Sequence, residues 1–175
     1  LIAPGKVITA RHCVLGAIDG KAAIELFFPH GNGASVSGKV LADSTEQDTC
    51  LLTVDENSAI QPLLLSGQLP SEGEKWKTFG YPIGKTAIGH RLSGNVAQVL
   101  GFPKLKIDMD LSVAAEEALT AYEGMSGGAI VCDGRAVGVI RLKLDRTVAG
   151  ISLKQLQWFL KANGITLPQN APAPE

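Results

Sequence analysis

The chain has 175 residues, with 16 Lys and Arg against 17 Asp and Glu, a formal net charge of −1, and 45% apolar residues. That is one ordinary domain or two small halves with chain enough for a core, and the dispersed cations leave no basic stripe to hold nucleic acid. The longest apolar runs, such as 59–65, break within a few residues, so no membrane partner is expected.

In chain order, Leu1–Ala3 and Lys6–Ala10 read as two short strands joined by a Pro4-Gly5 turn, after which Arg11-His12-Cys13-Val14 leaves the strand. Ala22–Phe28 is β-rich, the segment around His30 is a Gly-rich turn, and Ser35–Leu41 alternates as a strand. Ala42–Gln47 is a polar connection, and Asp48 stands at the entrance of the apolar strand Thr49–Val54. From Asp55 to Glu74, Pro and Gly residues surround one apolar patch, as in a connection between halves. A second β set follows: Trp76–Gly80, a strand or two in Ala87–Leu100, the alternating Leu105–Val113, then Ala129–Cys132 and Ala136–Leu144 around an Asp133-Gly134 hairpin turn. Only the end changes period. Ser152 can cap a helix with Leu153, Leu156, Phe159 and Leu160 on one face and Gly164 past its end, before a Pro-rich tail. The boundaries read as 1–66, a connection at 67–75, 76–151, a helix at 152–164 and the tail at 165–175.

Three cysteines, in spacings that fit no zinc or redox motif, read as buried thiols of a reducing compartment. Leu1 lies inside a strand-like run with no leader ahead of it, so the natural start is expected upstream. Together these features favour a cytoplasmic, prokaryotic setting.

Gly124-Met125-Ser126-Gly127-Gly128, running into an apolar strand, holds a Ser on a tight turn with backbone N–H groups facing one point. Such a Ser suits acyl transfer if a general base, usually an oriented His, lies within reach. Of the three His, His30 and His90 fall in segments where a solvated side chain is the better reading, while His12 directly follows an apolar strand. Among Asp43, Asp48 and Asp55, only Asp48 precedes residues that draw it under a packed surface.

The blocks Val7–Val14, Asp48–Leu52 and Gly124–Val131 resemble the three active-site blocks of the chymotrypsin/trypsin-like serine proteases, in the order His, Asp, Ser. The spacings of 36 and 78 residues between His12, Asp48 and Ser126 resemble the compact bacterial members. The resemblance extends through Gly138-Val139-Ile140 and Ala149-Gly150-Ile151. It implies an all-β fold of two antiparallel six-stranded-type β-barrels, the first incomplete at its N-terminal side, with a C-terminal α-helix. It implies Ser126 as nucleophile, His12 as general base and acid, Asp48 as orienting carboxylate, and an oxyanion hole from the N–H groups of Gly124 and Ser126.

Met125 replaces the Asp that orders the vertebrate enzymes after cleavage, which points to regulation by an activating domain or partner protein. Arg141 stands where the digestive enzymes place a Ser, and Cys132 faces Trp76 in place of a second Cys. By resemblance the primary pocket involves Thr120, Glu123, Arg141, Leu142, Lys143 and Gly150, and an uncharged residue before the scissile bond is expected. The expected activity is a serine endopeptidase acting on protein or peptide substrates, a regulated module of a larger bacterial protein, with no metal or cofactor. The alternatives are an inactive protease-like binding module and an esterase. The esterase is disfavoured because its His normally comes last in sequence.

Overall fold

The computed structural model describes residues 1–28, 35–55, 60–100, 106–144 and 147–168, with the backbone alone at 142–144. The turn expected around His30 and the tail after Pro168 lie outside the described residues. The chain forms two compact units, Leu1–Leu64 and Leu65–Glu175.

The first unit is a curled antiparallel sheet. Its strands β1 (Lys6–Ala10), β2 (Ile24–Phe27), β3 (Ser35–Ser44) and β4 (Thr49–Val54) lie in the order β1-β4-β3-β2. The apolar run Thr49-Cys50-Leu51-Leu52 is buried throughout because β4 is an inner strand, with Ile8 opposite Leu51 and Val7 opposite Leu52. Leu1–Ala3 makes only a bridge from Ala3 to Lys6 across the Pro4-Gly5 turn, not the strand expected. β3 runs on to Ser44 where a polar connection from Ala42 was expected. Leu41 is the extra residue of a bulge, beyond which Ala42, Asp43 and Ser44 resume pairing with Leu51, Cys50 and Thr49. After β1 the chain makes a 3₁₀ turn, Arg11–Val14, and one helical turn, α1 (Leu15–Ile18), which the sequence pattern did not suggest.

In the second unit β5 (Lys75–Gly80), β6 (His90–Val99), β7 (Met109–Ser112), β8 (Ala129–Cys132), β9 (Arg135–Leu144) and β10 (Thr147–Ser152) close a barrel in the order β10-β7-β6-β5-β8-β9. Closure leaves no free sheet edge. The Asp133-Gly134 turn has φ of 44° and 71°, the left-handed pair that a two-residue hairpin requires. Trp76, Leu92, Val96, Met109, Leu111, Met125, Ile130 and Ile140 fill the interior. Trp76 stands opposite Cys132, as the resemblance implied, and its Nε1–H donates to the Ser112 carbonyl at 2.9 Å. Burial pushes the Cys132 thiol up to about 12. The 67–75 stretch belongs to this unit: the Gly73 N–H donates to Val96 O, and the Val96 N–H to Glu74 O, both at 2.8 Å.

The C-terminal helix, α2 (Gln157–Ala162), is shorter than expected because 153–156 form turns. Ser152 caps the preceding turn rather than the helix, whose N-cap is Leu156: its Oγ accepts from the Gln155 N–H at 3.0 Å. The same hydroxyl donates to Asp108 Oδ2 at 2.5 Å while the Ser152 N–H donates to Oδ1 at 2.6 Å. Burial raises the Asp108 carboxyl above its ordinary range, and these two bonds work against that shift. Among the described residues no helix is long and apolar enough to cross a membrane.

Candidate active site

In the first unit β1 ends at Ala10 and β4 begins at Thr49, which pair with each other, so the residues just beyond them are neighbours. The Arg11 N–H donates to Asp48 O at 2.9 Å. The His12 N–H donates to Asp48 Oδ1 at 3.0 Å, and His12 Nδ1 lies 2.7 Å from Asp48 Oδ2. Both carboxylate oxygens therefore hold one histidine, one through its backbone and one through its ring. A proton on Nδ1 donates to the carboxylate and leaves Nε2 as the basic nitrogen. The Asp48 side chain is 15% exposed and the His12 side chain 43%. The carboxylate is thus sheltered while the ring remains reachable. Asp48 adopts φ 46°, a left-handed conformation that Asp tolerates better than most residues.

In the second unit the chain turns between Tyr122 and Gly128 before entering β8. The Met125 N–H donates to Tyr122 O at 3.0 Å and the Gly128 N–H to Met125 O at 3.1 Å. Gly127 N–H donates to Ile140 O and Ile140 N–H to Gly128 O, at 2.9 and 2.8 Å, fastening the turn to β9. Gly124 has φ +95°, and a side chain there would run into the Tyr81 carbonyl. Only glycine fits both demands. Among the described residues the Gly124 N–H makes no backbone hydrogen bond. Buried Met125 anchors the turn beneath Ser126, which is half-buried. The Ser126 hydroxyl donates to the Arg141 carbonyl at 3.1 Å. Arg141 is the extra residue of a β9 bulge between the pairs Ile140–Gly150 and Leu142–Ala149, which explains why its carbonyl leaves the ladder.

A cavity of about 380 Å³ opens beside this turn, lined by Thr120, Tyr122, Glu123, Met125, Ser126, Ile140, Arg141 and Val148, among others. It brings Thr120, Glu123 and Arg141 together with Ser126. Thr120 and Glu123 are exposed, and Arg141 is buried at 2% exposure. Gly150 is buried and does not line the cavity; a side chain there would meet Ile130 and the Val139 carbonyl inside the barrel. Leu142 and Lys143 lie on β9, where only the backbone is described.

Sequence reasoning missed the apolar wall of Tyr122, Met125, Ile140 and Val148, and Val148 belongs to a strand only partly foreseen. It also missed the ion pair between Arg11 Nε and Asp43 Oδ2 at 2.5 Å, beside His12. The signal was an Asp opposite Cys50 in the β3–β4 register, visible only once β3 is known to continue. His90 is not solvated as expected. Its Nδ1 accepts from Lys85 Nζ at 2.9 Å, so its Nε2–H donates to Glu117 O, also at 2.9 Å. Cys13 is likewise exposed where a buried thiol was expected, whereas Cys50 is buried and pushed up to about 11 by desolvation and the nearby Asp43 charge.

The family model of the trypsin-like peptidase domain matches residues 1–139. A search among curated proteins found no match. Among solved structures, the crystal structure of Deg5 is similar over 95% of this chain and 83% of its own, with a TM-score of 0.70 and 17% sequence identity. At that identity the likeness establishes the fold.

Proposed function

The chain belongs to the trypsin-like peptidase family, and on that premise we propose that it is a serine endopeptidase with Ser126 as nucleophile, His12 as general base and Asp48 as the orienting carboxylate. The observation that carries this reading is the double hold of Asp48 on His12, through the backbone N–H and Nδ1. That hold serves a base working through Nε2.

Nε2 takes the Ser126 proton as Oγ attacks the scissile carbonyl carbon, and the oxyanion that forms is received by the N–H groups of Gly124 and Ser126. The imidazolium, steadied by Asp48, returns the proton to the leaving amine. Water then repeats the sequence on the acyl-enzyme, with His12 again as base, and frees the acid. The apolar wall of Tyr122, Met125, Ile140 and Val148 supports an uncharged side chain before the scissile bond. The Ser126 bond to Arg141 O must break before attack. That requirement favours a resting state released by substrate or by an activating partner, as in a regulated module of a larger bacterial protein. Buried Cys50 and Cys132 thiols suit a reducing compartment such as the cytoplasm.

Hydrolysis of a quenched fluorescent casein tests the reading. Cleavage by the native chain that disappears in Ser126→Ala supports it. Cleavage that persists in that variant refutes it.

A further inference from the structure

A second cavity, of about 680 Å³, shares no residue with the one beside Ser126. It forms where the segment after α2 returns to the start of the second unit: the Gly67 N–H donates to Pro168 O at 3.2 Å. A side chain at 67 would stand 2.6 Å from that carbonyl, so the approach depends on glycine. Leu69 and Leu167 line the groove, and Lys154, Trp158 and Lys161 lie along its helical side. Trp158 and Lys161, three apart on α2, share one face, and Lys154 stands on the turn that leads into it.

Two features set this groove apart from ordinary surface. Trp158 is 72% exposed and Leu69 42%, a large apolar area presented rather than packed. Both lysines are exposed, Lys161 Nζ sits 5.7 Å from the Trp158 ring centroid, and none of the described residues lining the groove is acidic. The groove therefore offers an aromatic platform and two cations with no counter-charge among its described lining residues. Lys154, on the turn before α2, and Lys161, on α2 itself, flank Trp158 in sequence, and all three line the groove. Two carboxylates three residues apart in a polyproline-II peptide span about 9 Å on one side.

We propose that this groove is a docking site for an acidic peptide segment in which apolar residues lie between two carboxylates. The carboxylates meet Lys154 and Lys161, and the apolar side chains cover Trp158 and Leu69. The site lies outside the cleavage machinery and does not depend on the proposed catalysis.

Trp158 is its own reporter, since the only other tryptophan, Trp76, is 2% exposed and hydrogen-bonded within the barrel. The Ser126→Ala chain, which cannot consume the probe, is titrated with acetyl-Glu-Leu-Leu-Glu-amide and with its Gln-for-Glu analogue while tryptophan emission is followed. The acidic peptide should shift the emission to the blue and saturate. The Gln analogue should bind roughly 2- to 30-fold more weakly, two exposed ion-pair contributions combined. Affinity should fall as salt rises through about 0.5 M. Lys154→Gln with Lys161→Gln should reduce binding as the Gln peptide does, and Trp158→Phe should silence the signal. Equal binding of the two peptides, undiminished binding by the lysine variant, or no emission change at about 1 mM peptide would overturn the proposal.

Discussion

The two units use the same antiparallel grammar and enclose their strands differently. In the first, among the described residues, the buried apolar side chains are Ile2, Ile8, Ala10, Cys50, Leu51 and Leu52, nearly all on β1 and β4, while β3 alternates between exposed and half-buried positions. In the second, a closed barrel surrounds a continuous core from Trp76 to Val148. The lesson is a difference in support: the polar pair His12–Asp48 is positioned by hydrogen bonds at strand ends, and the Ser126 turn by backbone hydrogen bonds to β9 together with core packing, with Met125 buried beneath it.

The largest effects are chemical. Asp48→Asn loses the acceptor that holds Nδ1–H and should lower kcat by roughly 10²–10⁴-fold with the fold intact, as read by hydrolysis and far-ultraviolet circular dichroism. Gly124→Ala forces a side chain against Tyr81 O and should cost about 10²–10³-fold, the scale of losing an oxyanion donor. A Gly124→Ala enzyme of native activity would break the assignment of that turn.

Next in size is the difference in enclosure. Each unit contains one buried thiol, Cys50 in the first and Cys132 in the second. With iodoacetamide at rising urea, Cys50 should be modified before Cys132, because an open sheet has fewer buried contacts to lose. Trp76→Ala removes about 3–5 kcal/mol from the barrel and should reverse that order. Mass spectrometry of the alkylated peptides reads both outcomes.

The smallest effect sharpens the account of the barrel. Asp108 has a folded-state value raised by burial above 3.8, so the folded chain holds its proton more tightly than the unfolded chain. The contribution is therefore favourable at low pH and is lost as pH rises from about 4 through the raised value. Asp108→Asn should flatten the dependence of urea stability on pH in that window. A dependence unchanged by the substitution would place its origin elsewhere.

Much of this was legible in the sequence because short motifs report local geometry. Asp133-Gly134 announced its hairpin, and the glycines around Ser126 announced a turn that admits no side chain at 124. The apolar run 49–54 marked an inner strand. What could not be read came from pairing partners distant in sequence. Asp43 and Ser44 look like loop residues until the bulge at Leu41 restores their register with β4. His90 looks solvated until Lys85 and Glu117 converge on its ring. Ser152 reads as a helix cap, yet it caps the turn ahead of the helix, with no hint that Asp108 also holds it. The cavity wall likewise joins Met125, Ile140 and Val148 from separate segments, an association that only the closed barrel makes.

The central claim, that the histidine held by Asp48 activates Ser126, is tested most directly by reaction with a fluorophosphonate probe. The native chain, His12→Ala and Ser126→Ala are compared, and the adduct is located by mass spectrometry. The account predicts labelling of the native chain at Ser126 and its loss in both variants. Labelling of His12→Ala at the native rate, or an adduct at another residue, would contradict it.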